Sequence, residues 1–175
     1  MTTKKPKPTT PKRILIFGAS GTGKNWFGER LSKKSRIKFY DTDDLAWIKR
    51  FTVRRDYKEK CDMLKKICKK DKWMIATGAT TYVSCAEKRA DLIIILEAGF
   101  LRKSYRIIKR HFQKNASGEE YSPSNPLKLV YANYLDYRKG GKGRIYFDGL
   151  MKKYPGKVRV FGQGEKRRFL EAWGR

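Results

Sequence analysis

The sequence predicts an α/β domain in which a parallel β-sheet lies between two layers of helices. Short apolar runs with the composition of strands alternate with amphipathic, helix-like segments along most of the chain, which is the order of a parallel sheet with helical crossovers. The run at 92–96, LIIIL, is apolar at every position, as expected of a strand covered by helices on both faces. At 175 residues, the chain has the length of one such domain.

The order of the elements follows from these patterns. Strands are predicted at residues 13–17, 37–40, 73–77, 90–96 and 157–161, and helices at 24–33, 55–70, 100–112, 127–137, 146–154 and 165–173. In the helix at 100–112, the residues Leu101, Tyr105, Ile108 and Phe112 recur at helical spacing and are predicted to form its core stripe. Residues 1–12 are predicted to be a disordered basic tail, 13–175 the domain, and 113–126 a mobile polar loop.

The charge of the chain is strongly positive. Lys and Arg number 43 against 17 Asp and Glu, which gives a net charge of +26. Such a surface attracts polyanions, among them nucleic acid, acidic membranes and nucleotide phosphates. Scattered lysines are also typical of a merely solubilising surface, so a nucleic-acid partner is one of two interpretations.

The cysteines and the apolar runs indicate the cellular setting. Cys61, Cys68 and Cys85 form no C-x-x-C pair and His111 is the single histidine, which argues against a structural zinc site and for a reducing, cytoplasmic environment. No apolar run approaches the roughly 18 to 20 residues of a membrane span. Residues 1–12 lack the apolar centre of a signal peptide.

A glycine-rich segment follows the first predicted strand and precedes the first predicted helix. It comprises Gly18, Ala19, Ser20, Gly21, Thr22, Gly23, Lys24 and Asn25, and it fits the pattern G-x-x-x-x-G-K-[S/T] except at its last position. Glycines allow the tight turn that aims backbone N–H groups at phosphate oxygens, and the helix N-terminus adds its dipole. The segment is therefore predicted to bind the phosphates of ATP or GTP, with Lys24 bridging the β- and γ-phosphates.

Asn25 stands where a Ser or Thr hydroxyl ordinarily ligates Mg²⁺. An Asn carbonyl oxygen can ligate the metal or hold one of its water ligands, so Asn25 is predicted to be a metal-side residue. The hydroxyl of Thr22 is a less well placed substitute. We expect nucleotide binding to tolerate this exchange better than catalysis does.

Acidic residues cluster directly after the second predicted strand, at the edge of the sheet where ligands bind in open α/β folds. Asp41 and Asp43 alternate along an extended chain and are predicted to face the same way, as Mg²⁺ ligand and as acceptor contact or base. A solvated turn or helix cap at Asp41, Asp43 and Asp44 is the alternative. Glu97 is a further candidate carboxylate on the metal side.

Arginines step by four along the helix at 100–112. Arg102, Arg106 and Arg110 form one cationic stripe, and no acidic residue lies between Phe100 and Ser117 to neutralise it. Guanidinium groups suit the charge that develops on a transferred phosphoryl group, although a solvated helix face has the same pattern. Arg138 and Arg144 are weaker candidates of the same kind.

Taken together, these segments resemble the adenylate-kinase-like P-loop small-molecule kinases and, within them, the bacterial topology-modulation proteins. The resemblance spans roughly residues 13–173 and is carried by RILIFGASGTGK at 13–24, YDTDDLAW at 40–47, WMIATGATT at 73–81, ADLIIILEA at 90–98 and YRIIKR at 105–110. It implies a P-loop NTPase fold with a five-stranded parallel sheet of order 2-3-1-4-5. It also implies an acceptor region at about 41–70 and a lid at about 113–126.

The resemblance further implies roles for single residues. Arg106 and Arg110 match the R-x-x-x-R positions that contact ATP in adenylate kinases. Asp41 and Asp43 are similar to the D-x-D of shikimate kinases, whose first Asp serves Mg²⁺ and whose second serves the acceptor. The Asp43–Asp44 pair resembles the base region of polynucleotide 5′-kinases. Asn25 and Thr77 depart from the pattern, because both stand where the family carries groups that organise Mg²⁺.

The sequence thus predicts an ATP- and Mg²⁺-dependent phosphotransferase that acts on a small-molecule acceptor. Its predicted catalytic residues are Lys24, Asp43, Arg106 and Arg110, and its predicted metal-side residues are Asn25, Asp41 and Asp43. Two alternatives stay open: a polynucleotide 5′-hydroxyl kinase, and a non-catalytic nucleotide- or nucleic-acid-binding protein on a kinase scaffold. Trp47 and Phe51 could stack a base in the acceptor region or belong to the core.

Overall fold

The computed structural model describes residues 10–49, 53–116 and 125–173. Its strands are β1 Arg13–Gly18, β2 Phe39–Asp41, β3 Trp47–Lys49, β4 Val53–Arg54, β5 Trp73–Thr77, β6 Leu92–Leu96 and β7 Val158–Phe161. Its helices are α1 Lys24–Ser35, α2 Thr42–Ala46, α3 Tyr57–Cys68, α4 Ser84–Arg89, α5 Phe100–Ala116, α6 Pro126–Tyr137, α7 Lys142–Lys153 and α8 Gln163–Ala172. A 3₁₀ turn at Thr81–Val83 precedes α4.

Five of the strands form one parallel sheet in the order β2-β5-β1-β6-β7. The strands β3 and β4 pair separately as a short antiparallel hairpin. When these five strands are renumbered 1 to 5 in chain order, their order in the sheet is 2-3-1-4-5. This order confirms the predicted fold class. The glycine-rich loop leaves the central strand β1, so it stands at the middle of the carboxyl edge of the sheet.

The core lies on both faces of this sheet because successive side chains of β1 point in opposite directions. Leu15 and Phe17 belong to the cluster that includes residues of α3, α4 and α7, whereas Ile14 and Ile16 pack with residues of α1 and α8. The domain therefore has three layers, helices–sheet–helices. None of the helices in the described ranges is both long and apolar enough to cross a membrane.

The predicted core stripe of α5 is wrong. Leu101 is 81% exposed and Phe112 is 65% exposed, whereas Ile107 and His111 are buried. Helical periodicity identifies an apolar stripe but does not say that the domain covers it. Helix α5 lies against the glycine-rich loop, which Arg106 contacts directly, and Tyr105 is exposed. The helix therefore turns the face with Arg106 toward the domain and the face with Tyr105 away from it.

Several boundaries also differ from the prediction. Strand β2 covers 39–41 and not 37–40, α7 begins at Lys142, and α5 continues to Ala116 into the predicted loop. The helix α2 and the hairpin of β3 and β4 were not predicted, because Asp41 caps a helix too short to show periodicity. Residues 1–9 of the predicted tail and 117–124 of the predicted lid lie outside the described residues.

Candidate active site

The glycine-rich loop connects β1 to α1 and needs glycine at two positions. Gly21 and Gly23 have φ values of +81° and +85°, in the left-handed region that favours glycine. A Cβ added at Gly21 would lie 2.6 Å from the carbonyl oxygen of Lys103 on α5. Gly21 thus serves both the backbone turn and the close approach of α5 to the loop.

Side chains from three helices hold the outer side of this loop. The Nδ2 of Asn133 donates to the carbonyl oxygen of Ser20 at 2.9 Å. The Nη1 of Arg106 donates to the carbonyl oxygens of Gly21 and Thr22 at 3.2 and 3.4 Å. The Nζ of Lys166 donates to the carbonyl oxygen of Thr22 at 2.9 Å. Because C=O and N–H point in opposite directions across a trans peptide, these bonds aim the N–H groups of Gly21 and Gly23 away from the helices.

Sequence reasoning missed Lys166 and Asn133 as site residues. Lys166 is 4% exposed, and its pKa is lowered to about 8 by burial and by the charges of Arg106 and Arg102. A buried lysine surrounded by cations is unfavourable without an anion nearby, and the Thr22 carbonyl supplies only a partial charge. No local pattern around either residue marks its position against the loop.

We predict that Lys166→Met raises the Kd for ATP by about tenfold, the loss of one hydrogen bond to a charged group. The wild-type Kd should also rise with pH above about 8, where Lys166 beside Arg106 and Arg102 loses its charge in the ATP-free protein. In Lys166→Met this rise should be absent. Calorimetric titration between pH 7 and 9 measures both effects.

Lys34 provides the matched control, because its Nζ donates to the carbonyl oxygen of Leu170 at 2.7 Å and so links α1 to α8 away from the loop. Lys34→Met should bind ATP like the wild type with the same pH profile. Equal losses of ATP affinity in the Lys166 and Lys34 variants would show that both lysines act only through the stability of the fold.

A second prediction concerns Gly21. Gly140 has a φ of +77° with nothing within 4 Å of an added Cβ, so Gly140→Ala carries only the backbone strain, about 1 to 2 kcal/mol. Gly21→Ala carries the same strain and also displaces α5. We expect it to lower Tm more than Gly140→Ala does and, unlike that control, to weaken ATP binding. Equal Tm losses with unchanged ATP affinity would contradict the close packing of α5 on the loop.

Asn25 and Asp41 meet at the end of the loop. The Nδ2 of Asn25 donates to one carboxylate oxygen of Asp41, and the other accepts the backbone N–H of Asp43 at 3.0 Å. The Oδ1 of Asn25 is buried, and no described residue donates a hydrogen bond to it. Burial, followed by the charge of Asp43, raises the pKa of Asp41, while Lys24 and Asn25 oppose the shift.

Asp43 does not lie where the sequence placed it. Asp41 ends β2 and its side chain caps α2, so Asp43 is helical and exposed and does not alternate with Asp41 along a strand. The helix cap that was the alternative interpretation is therefore present at Asp41. The two carboxylates are still neighbours, because the charge of Asp43 acts on the pKa of Asp41.

Of the remaining predicted site residues, some lie at the loop and others are exposed or engaged in other hydrogen bonds. Lys24 begins α1 and its charge acts on Asp41, and Arg106 contacts the loop directly. Arg102 and Arg110 are exposed on α5. The Thr22 hydroxyl donates to the carbonyl oxygen of Ala19 at 2.8 Å and is buried, so the structure gives it no metal-side place.

Of four further residues singled out in the sequence, three have other contacts and one lies outside the described part of the chain. Glu97 forms an ion pair with Arg144 at 3.1 Å. The hydroxyl of Thr77 donates to the carbonyl oxygen of Gly78. Trp47 is half-buried with the guanidinium of Arg54 over its ring at 5.0 Å, and Phe51 lies outside the described residues.

A cavity of about 560 Å³ adjoins the loop at Ala19 and Thr22, over the carboxyl ends of β6 and β7. Aromatic side chains line it together with cations: Phe100, Tyr134, Tyr137 and Phe147, with Lys103, Arg138 and Arg144. Two polar atoms of its lining residues, the Oδ1 of Asn133 and the Nε2 of Gln163, are buried and have no hydrogen-bond partner within the described residues. The cavity lies on the α5 and α6 side of the loop, apart from Asp41 and Asp43.

Comparisons with known proteins bear on the fold of the chain. No protein-family model matches the chain. The uncharacterized protein YqaC of Bacillus subtilis (strain 168) is 29% identical over 131 residues, which are 71% of this chain and 73% of that protein.

The solved structures of similar fold include small-molecule kinases. A shikimate kinase from Acinetobacter baumannii, solved with shikimate, has a TM-score of 0.56 at 16% identity and covers 93% of this chain and 90% of its own. A gluconokinase from Sinorhizobium meliloti 1021 has a TM-score of 0.53 at 14% identity, covering 92% and 90%. Together with the sheet order and the loop after β1, these likenesses show that the chain has the fold of the P-loop small-molecule kinases.

Proposed function

We propose that the protein is a phosphotransferase that moves the γ-phosphoryl group of ATP to a hydroxyl or phosphate group of a small-molecule acceptor. The observation that carries the proposal is the loop itself, whose carbonyl groups are held outward while the Asn25–Asp41 pair stands at its end. A loop set in this way presents backbone N–H groups to phosphate oxygens before the nucleotide arrives. The nearest resemblance by sequence, to the topology-modulation proteins, stays a prediction, as does the cytoplasmic setting.

On the donor side, the loop amides and Lys24 hold the β- and γ-phosphates, and Arg106 and Arg110 stabilise the charge on the migrating group. Support comes from the contact of Arg106 with the loop and from the place of Arg110 one helical turn further along α5. The cavity beside the loop receives the base of the nucleotide. Its aromatic walls suit a planar ring, and the unpaired Asn133 Oδ1 and Gln163 Nε2 offer it an acceptor and a donor.

The residues at the end of the loop fit Mg²⁺. The buried Oδ1 of Asn25 lacks a hydrogen-bond donor, and the Asp41 carboxylate beside it is partly desolvated, so both gain from a hard cation. A bound Mg²⁺ would neutralise charge on the phosphates during transfer. Asn25 and Asp41 would hold the metal ion. Asp43 would either contact the ion through a water molecule or act on the acceptor instead.

Asp43 is the base in this proposal. Its exposed carboxylate on α2 takes the proton of the acceptor hydroxyl as that oxygen forms a bond to the γ-phosphorus. The bond from the γ-phosphorus to the bridging oxygen breaks, and ADP leaves with that oxygen. The acceptor region at about 41–70 provides the surroundings for the second substrate.

The proposal is tested by measuring ADP formation with ATP or GTP across nucleosides, nucleoside monophosphates, small hydroxy acids and 5′-hydroxyl oligonucleotides, with and without Mg²⁺. We expect Mg²⁺-dependent turnover with one class of small acceptor and none in Lys24→Met. Turnover confined to oligonucleotides would favour the polynucleotide kinase. ATP binding without ADP formation above background for every acceptor would favour the non-catalytic alternative.

A further inference from the structure

The helices α5 and α6 expose large side chains that no other described part of the domain covers. Besides Phe100 at its first position, α5 exposes Leu101, Tyr105 and Phe112, and α6 exposes Leu127, Tyr131 and Tyr134. Each set recurs at helical spacing and so forms one stripe along its helix. Phe100, the first residue of α5, contacts Tyr134 near the end of α6 with ring centroids 5.5 Å apart, so the start of α5 lies beside the end of α6.

Cations are interleaved with these stripes. Arg102 and Lys109 on α5, Lys128 on α6 and Arg138 at its end are exposed. The Nζ of Lys109 lies 5.9 Å from the centroid of the Tyr105 ring. Every charged residue from 100 to 116 is Lys or Arg, and Asp136 is the acidic residue of α6. We call the two stripes with these four cations the aromatic–cationic face.

We propose that the aromatic–cationic face binds single-stranded nucleic acid, with bases stacked on the tyrosine and phenylalanine rings and phosphates on the lysines and arginines. Aromatic rings beside a positively charged surface are the features by which proteins hold single strands without sequence preference. Tyr134 and Arg138 of this face also line the cavity beside the loop, whereas Tyr105 and Tyr131 do not. These two tyrosines therefore separate oligonucleotide binding on the face from nucleotide binding in the cavity.

The composition of the face favours this occupant over others. A second copy of the chain would bring two strongly positive surfaces together, since the net charge is +26. Three of the six stripe residues are tyrosines, whose rings stack on bases. The other three, Leu101, Phe112 and Leu127, also suit a membrane surface, so the experiment below includes lipid vesicles.

The test is fluorescence anisotropy with a labelled single-stranded DNA of about 20 nucleotides, titrated at KCl concentrations between 50 and 200 mM. The variant Tyr105→Ala with Tyr131→Ala removes two rings and leaves every charge in place. We expect its Kd to rise by about tenfold or more, because each base–ring stack contributes substantially. The slope of log Kd against log salt should stay at roughly 2 to 3 in both proteins, as for three or four neutralised phosphates.

Two control variants distinguish binding to the aromatic–cationic face from binding elsewhere on the protein. Tyr57 is 61% exposed on α3, so Tyr57→Ala removes an equally exposed ring from another helix and should leave the Kd unchanged. Lys24→Met disables the phosphate loop and should also bind the oligonucleotide like the wild type. Loss of binding in Lys24→Met would place the oligonucleotide at the loop and overturn the proposal.

Other outcomes overturn it as well. Equal affinity of the wild type and the double-tyrosine variant would mean that the net charge alone attracts the oligonucleotide. The variant should also be compared by sedimentation velocity and by co-sedimentation with phosphatidylcholine–phosphatidylserine vesicles. Loss of a dimer or of vesicle binding, with oligonucleotide affinity unchanged, would identify a second copy or a membrane as the occupant.

Discussion

Asp43→Ala is expected to lower kcat for phosphoryl transfer by about 10²- to 10⁴-fold, the range lost when a general base is removed. Asp43 is exposed on α2, next to the buried Asp41 that caps this helix, so its truncation removes a carboxylate without opening the core. The Kd for ATP should change little, because ATP is proposed to bind at the loop amides and Lys24. Steady-state kinetics with the acceptor found by screening, together with calorimetric titration of ATP, separate the two effects.

Asp71 offers a charge-matched control for this prediction. It is exposed in the turn before β5, away from α2, and Asp71→Ala changes the net charge by the same amount. Its kcat should equal that of the wild type. Full activity in Asp43→Ala would remove Asp43 from the mechanism, while a parallel loss of ATP affinity would reassign it to the nucleotide site.

Asp41→Asn is expected to lower Mg²⁺-dependent turnover by about 100-fold while raising Tm. Loss of the carboxylate removes the charged group proposed to hold the metal with Asn25, and changes around metal sites reach this size. Asparagine caps helices as well as aspartate does, so α2 keeps its N-cap. The variant is therefore predicted to fold more stably and to work less well.

The rise in Tm follows from the direction of the pKa shift. Burial and the charge of Asp43 raise the pKa of Asp41, so the folded chain binds this proton more tightly than the unfolded chain does. Stability then falls as the pH rises from the ordinary value of about 3.9 through the raised pKa, and at neutral pH the charged, desolvated carboxylate is unfavourable. Replacing it should therefore raise Tm at pH 7.

Thermal unfolding at pH 7 and at pH 4 tests this reasoning. The difference in Tm between Asp41→Asn and the wild type should shrink at the lower pH, where Asp41 is closer to protonated. Asp71→Asn should show no rise at either pH. A lower Tm for Asp41→Asn at pH 7 would contradict this reasoning, because it would mean that the Asp41 carboxylate stabilises the fold.

Much of the fold could be predicted from the sequence because its signals are local. The apolar run at 92–96 and the glycines of the loop report on burial on both faces and on a tight turn, and the structure has both features. The order of the sheet followed from the resemblance. The apolar stripe of α5 led to a wrong prediction of which residues of that helix are buried. Periodicity describes the pattern of one helix and does not tell whether another element covers it.

The site was predictable only where the chemistry is close in sequence. The loop and Asp41 are each marked by their neighbours along the chain. Lys166 and Asn133 reach the loop from residues 144 and 113 positions away, and such contacts depend on how α8 and α6 pack. Asp43 was predicted to alternate with Asp41 along a strand, whereas Asp41 accepts a hydrogen bond from the N–H of Asp43 as the cap of a short helix.

The most direct test of the account is a calorimetric titration of the wild type and of Lys24→Met with ATP and with GTP, in the presence of Mg²⁺. We expect the wild type to bind one nucleotide per chain, more weakly without Mg²⁺, and Lys24→Met to bind at least about tenfold more weakly. Equal affinities in the two proteins, or no binding to the wild type, would contradict a phosphate site in the loop at 18–25.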